Sequence, residues 1–144
     1  MPSLARRIAL PALAAAALLT TLTGCSSGIS LDEPIEGPVW RLVQLGDESL
    51  PPGDAQIRFD DSGRVSGSGG CNRISGTFTR SGITLRIGQL GSTRMACADP
   101  VRGANEAQFL SVLQSTASYR LSPGRLSLLD ASGRTVATLS AGAR

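Results

Sequence analysis

The 144-residue sequence contains no histidine and no lysine. The first absence removes the side chain most used for proton transfer near neutral pH, and the commonest zinc ligand with it. The second removes the base of a serine–lysine hydrolase and the cation of a phosphate-cradling loop. Aromatic residues make up 3% of the chain, with one tryptophan, so the core must be largely aliphatic and modest in size. Cysteine is scarce, at three residues, and charge is nearly balanced: 14 arginines against 11 acidic groups. Two of those arginines, Arg6 and Arg7, lie in the first ten residues. The rest of the chain therefore carries no broad excess to attract nucleic acid or to steer an anionic substrate.

What is present begins with a processing segment, residues 1–24. Arg6 and Arg7 form a basic start, Ile8 to Leu22 is apolar apart from Pro11, Thr20 and Thr21, and Leu22-Thr23-Gly24-Cys25 follows. This resembles a bacterial lipoprotein signal with its lipobox, in which the Cys25 thiol takes a diacylglycerol. The apolar run is shorter than the roughly 20 residues a helix needs to span hydrocarbon. Residues 25–38 read as a flexible tether rich in serine, glycine, proline and acidic groups. Ser26 rather than aspartate after the lipidated cysteine points to the outer membrane, facing the periplasm, in a Gram-negative cell. Export also leaves Cys71 and Cys97 as an even pair in an oxidising compartment. A disulfide is expected, with two buried free thiols as the rival.

Residues 39–140 read as the folded domain. Val39 to Val43 opens it as a strand, with Trp40 read as core rather than as a ligand platform. Ile57 and Phe59 alternate with Arg58 and Asp60, and Asp61-Ser62-Gly63 turns the chain into a hairpin. Ser66 to Gly70 is too glycine-rich for an ordinary strand and implies a bulge or a close backbone approach. Ile74, Gly76 and Phe78 share one face, and Ile83, Leu85 and Ile87 alternate after the turn at Arg80 to Gly82. Gly91 to Cys97 is irregular, with Met95 as its apolar anchor. Asp99-Pro100 starts a helix through about Ser115, with a stripe at Ala104, Ala107 and Leu110, extending to Phe109 and Leu113. Tyr119 to Leu139 completes an antiparallel meander. Seven or eight strands with one helix predict an α+β domain: a strongly curved antiparallel sheet, a partial barrel, packed against that helix.

The stretch Gly63 to Cys97 holds the densest local chemistry. Asn72 beside Cys71 can tie down the glycine-rich segment through its amide or can reach a ligand. Asp60 and Asp61 sit at a turn, where carboxylates cap backbone groups, and Asp130 occupies an equivalent turn. A calcium loop needs denser oxygen ligands than Asp54, Asp60 and Asp61 supply, and no metal or cofactor is expected.

Gly69-Gly70-Cys71-Asn72, Ser75-Gly76 with Phe78, Thr93-Arg94-Met95-Ala96-Cys97, Glu106 to Leu110, the closing Leu126-Ser127-Leu128 and the opening Trp40-Arg41-Leu42 together resemble the META domain of HslJ-like heat-shock proteins. The resemblance implies a curved sheet packed on one helix and a bacterial, envelope-associated role linked with heat or antibiotic stress and with motility. It carries over no catalytic residues. Trp40, Gly69, Gly70, Asn72, Gly76, Thr93, Arg94 and Met95 are thereby marked as architecture. The expected function is a non-enzymatic envelope lipoprotein that binds an envelope protein or apolar ligand, and no nucleic acid; a small periplasmic hydrolase, or an inhibitor of one, is the alternative. If Cys25 carries the lipid, Cys25→Ser releases the protein from the membrane fraction or leaves it unprocessed. An unchanged membrane fraction and unchanged labelling by a palmitate analogue contradict the assignment.

Overall fold

The computed structural model describes residues 34–142. The expected signal segment, the expected lipidation site at Cys25 and most of the expected tether lie outside the described residues. Ten strands and one helix follow in order: β1 (Val39–Leu45), β2 (Glu48–Ser49), β3 (Gln56–Phe59), β4 (Arg64–Ser68), β5 (Arg73–Ser81), β6 (Thr84–Ile87), β7 (Gly91–Ser92), α1 (Pro100–Ser115), β8 (Ser118–Ser122), β9 (Arg125–Leu129) and β10 (Thr135–Ala141). Eight of the strands run β1-β3-β4-β5-β6-β8-β9-β10, and β10 pairs back onto β1. The sheet is antiparallel and curls into a ring, as its alternating pattern predicted. The two-residue strands β2 and β7 are additions, attached to β1 and β5.

Closure is uneven. β1 and β10 pair over most of their length, whereas β6 meets β8 at the single pair Thr84↔Ser118. Two bonds flank it, from the Leu85 N–H to the Ala117 carbonyl (3.2 Å) and from the Tyr119 N–H to the Ile83 carbonyl (3.0 Å). The chain between these two strands carries α1, so the ring is narrowest in hydrogen bonds where the helix is inserted.

Two turns share the sequence Asp-x-Ser-Gly-Arg, at Asp60–Arg64 and Asp130–Arg134. In each, one aspartate oxygen accepts the serine N–H, the serine hydroxyl and the arginine N–H. Gly63 and Gly133 sit at φ of 81° and 84°, a conformation that a side chain would strain. The same five-residue motif, identical at four positions, thus closes the β3–β4 and β9–β10 hairpins. Hydrogen bonding from Ser62 and from the Arg64 N–H lowers the Asp60 pKa. Hydrogen bonding from Ser132 and Arg134 lowers that of Asp130 to about 2. These carboxylates act as turn caps.

The interior is aliphatic, as composition required, with Phe59 and Phe78 edge-to-face at its centre, 4.8 Å between centroids. Trp40 is buried, in keeping with the core reading. Gly67 is the close approach anticipated from the glycine run: a side chain there would strike the Gln56 carbonyl of the adjacent strand. α1 begins as expected, with the Asp99 carboxylate accepting the Val101 N–H (2.9 Å) and Pro100 in the first turn. Its buried face differs, however. Glu106, Phe109 and Leu113 point inward, while Ala104 and Ala107 are exposed. Burying alanine gains little, so the two large apolar residues set the face and carry Glu106 in with them. Ile83, expected on the face of Leu85 and Ile87, sits in the turn and is exposed.

The fold also starts earlier than residue 39, within what the sequence suggested was tether. Ile35 is fully buried, and its carbonyl accepts the Trp40 indole N–H at 2.8 Å. Glu36 forms a parallel bridge with Phe59, and the Gly37 N–H donates to the Phe59 carbonyl (3.0 Å). The Arg80 guanidinium grips both oxygens of Glu36 (3.1 and 3.2 Å) and donates to the Tyr119 hydroxyl (3.1 Å). An aliphatic residue next to acidic neighbours was the available sign, one that Ile35 shares with Leu31. Ile35→Ala is expected to lower stability by about 3 kcal/mol, in the range for buried aliphatic truncation, measured by urea denaturation. An unchanged midpoint would return residues 34–38 to the tether.

Candidate functional site

The end of the barrel opposite Glu36 is where the candidate residues converge. Ser68 at the end of β4 and Arg73 at the start of β5 are paired, and the loop between them holds Gly69, Gly70, Cys71 and Asn72. The loop is tight because the Gly69 N–H donates to the Asn72 carbonyl (2.9 Å) and Gly70 adopts φ of 115°. Such a loop turns its next N–H groups inward, where water cannot reach them, so they need an acceptor. Glu106 supplies it. One of its oxygens accepts the Cys71 N–H (2.8 Å) and the Asn72 N–H (2.6 Å), and the other accepts the Asn72 side-chain amide (2.6 Å). A Cβ on Gly69 would lie 2.5 Å from the Glu106 Cγ, so glycine is required there by the carboxylate's approach.

Asn72 then passes the connection on. Its carbonyl oxygen accepts the Met95 N–H (2.8 Å) and the Thr93 hydroxyl (3.0 Å), and its amide donates to the Met95 carbonyl (3.3 Å). The side chain thereby stands in for a strand partner along Thr93–Met95. Of the two readings of Asn72, the local structural one fits these bonds. Thr93 Oγ1 also accepts the Arg73 N–H (3.0 Å), extending the short β7 ladder. Cys71 and Cys97 are joined by a disulfide, with Cα atoms 5.8 Å apart. A bridge closing 26 positions is worth about 3.5 kcal/mol on the chain-entropy model.

The remaining predicted positions divide. Gly76 lies under Leu90, whose side chain a Cβ would meet at 2.9 Å. Arg94 is exposed. Met95, expected as an apolar anchor, is 63% exposed. Backbone bonds from Asn72 hold that segment instead. Glu106 is the residue that sequence reasoning missed. Its signal was positional: a carboxylate three and seven residues before Phe109 and Leu113, on the face the large apolar residues share.

Burial works against charge on Glu106, but the Asn72 amide and the N–H groups of Asn72 and Cys71 outweigh it and hold the pKa below its ordinary value of 4.5. A depressed carboxylate contributes stability that is complete above the unfolded value and is lost as pH falls through the folded one.

Next to this knot is an open cleft of about 240 Å³ between the loop at 50–55 and the start of α1. Leu42, Leu50, Pro51, Pro52 and Val101 give it apolar walls, and Asp54, Arg102 and Asn105 a polar rim. Arg102 and Asp54 lie 3.6 Å apart across it, both well exposed, a pair worth little in water. Among the described residues no cluster of three or more acidic or thiol groups is placed to hold a metal ion, and no helix is long and apolar enough to cross a membrane.

A curled antiparallel sheet with a single helix at one mouth, tied by a carboxylate and a disulfide, defines a small α+β barrel-like class. Within it, the META domain model matches residues 33–143, and the chain belongs to that family. Solved structures agree. An NMR structure of a protein from Burkholderia xenovorans is 26% identical, with TM-score 0.61 over 76% of this chain and 85% of that one. A second NMR structure is 25% identical, with TM-score 0.59 over 74% and 91%. A DUF4847 family protein from Bacteroides vulgatus, 16% identical, shares the fold with TM-score 0.57 over 76% and 96%. No curated protein matches the sequence.

Glu106→Gln turns an amide donor toward donors in the knot and is expected to cost about 3 kcal/mol at pH 7. The gap from wild type should shrink as pH falls below 4.5, because the wild-type carboxylate then loses its advantage. Urea titrations at pH 7 and pH 3 measure both. A gap independent of pH contradicts the assignment of charge to Glu106.

Proposed function

We propose that this protein is a non-enzymatic lipoprotein of the cell envelope, anchored through Cys25, whose META domain binds another envelope component. The cleft beside α1 carries the reading. Apolar walls with a sparse polar rim are the make-up of a recognition surface. The groups that could have done chemistry nearby are engaged in structure: Glu106 with three donors, Asp99 with the helix start, and Cys71 with Cys97. The leader supports the address, with periplasm-facing outer membrane as its site in a Gram-negative cell, and the resemblance to HslJ-like proteins supports a role in stress response. The partner is an envelope protein, or an apolar ligand, offering an apolar segment to Leu50, Pro52 and Val101.

A photo-reactive amino acid at position 101 in intact cells is expected to give a discrete adduct. The same group at Ile83, exposed at the other end of the barrel, is expected to give none. Equal capture from both positions, or turnover of an ester, peptide or glycoside that one carboxylate substitution abolishes, would overturn the proposal.

A further inference from the structure

Near-neutral composition conceals a segregation of charge. Outward positions on β3, β4, β5 and β6 hold four arginines, Arg58, Arg64, Arg73 and Arg86; every other outward residue on these strands is serine, threonine or Gln56. None is acidic. Register brings the group together: Arg58 faces Ser66, Arg64 faces Thr77, Arg73 faces Ser68, and Arg86 faces Thr79. Arg58 and Arg64 are diagonal neighbours on adjacent strands, close enough for their fields to add. Among the described residues the ion-paired arginines are Arg80, Arg102 and Arg134; the four wall arginines have no ion pair, as is also true of Arg41, Arg94, Arg120 and Arg125, and the wall is where four lie on adjacent strands. Asp60 and Asp61 occupy the turn at the rim; Asp60 is committed to its own loop and also feels the charge of Arg64. Four guanidinium groups in a field of hydroxyls form a cationic, donor-rich wall without a carboxylate of its own, suited to phosphate oxygens.

We infer that this wall rests on an anionic bilayer surface, its arginines against lipid phosphates. Charge complementarity is one argument, and the position of the N-terminal segment is the other. Glu36 and Gly37 bond to Phe59 at the end of β3, so the chain joins the barrel at the border of this wall. The nine residues from Cys25 to Glu33 reach at most about 30 Å. A lipid at Cys25 would hold the barrel within that distance of headgroups, and with the wall against them the cleft at the opposite end of β3 would open along the membrane plane. The inference rests on the lipoprotein reading for the nearness of a bilayer; the affinity of the wall does not.

The test therefore uses the full chain carrying Cys25→Ser, mixed with sedimenting vesicles of phosphatidylcholine alone or with 30% phosphatidylglycerol. The apolar leader binds both vesicles, and Arg6 and Arg7 add a preference for the anionic ones that the wall substitutions leave in place. Preference for the anionic vesicles is expected, weakening from low salt to 0.15 M as screening sets in. Arg58→Gln, Arg64→Gln and Arg86→Gln should each reduce that preference about fivefold, with thermal melting unchanged, while Arg134→Gln leaves it intact. Lack of preference overturns the inference, as does a preference that the wall substitutions do not touch. Equal affinity for soluble inorganic polyphosphate and for anionic vesicles also overturns it, in favour of a free polyanion. Absence of palmitate labelling in the wild-type protein would instead strike the lipoprotein reading and leave the vesicle result standing.

Discussion

One carboxylate on the buried face of α1 meets three N–H donors in a glycine loop, and the rest of that end of the barrel depends on the meeting. Glu106 costs desolvation, and alone it would be a liability in an aliphatic core. Its two oxygens accept from Cys71 and Asn72, so the charge is matched by donors that themselves needed an acceptor. The consequences run outward. Gly69 is fixed as glycine by the approach of the carboxylate, Asn72 is oriented by it, and Asn72 in turn holds Thr93 and Met95. The disulfide fastens the same two segments a few residues further on. Helix, loop and irregular strand are one unit.

Much of the barrel could be read from residue pattern. Alternation in β3, β5 and β6 named the inward faces because period-2 burial leaves a direct trace in hydropathy. The helix start at Asp99-Pro100 was legible for the same reason, since capping is a local interaction. Glu106 was not, because its meaning depends on a loop 34 residues away and its own chemistry resembles that of any surface carboxylate. Ile35 was missed in the opposite way: a composition argument over residues 25–38 averaged one core residue into a polar segment. Met95 misled because hydropathy cannot say whether a segment is held by its side chain or its backbone.

Charge shows the same limit more generally. Totals close to zero excluded a strong uniform field, and that conclusion stands for the whole domain. They could not reveal that arginines occupy strand positions while most acids occupy turns. Turns select aspartate because its short carboxylate caps backbone N–H groups, as at Asp60 and Asp130. Strands exclude it for want of those partners. Segregation of charge on this barrel therefore follows from secondary structure, whatever use is made of it.

The segment from Ile35 to Gly37 bears on mechanics. Its residues enter a ring whose strands close on one another, with Ile35 inside and Glu36 clamped by Arg80. The bridge to Phe59 is parallel, so a pull on the N-terminus loads its hydrogen bonds and the Trp40–Ile35 bond together rather than peeling an outer strand one pair at a time. Once those residues give way, the load passes to β1, which is held by β10 on one side and β3 on the other. A load entering through residues 35–37 is thus met by groups seated inside the ring rather than by a free edge strand.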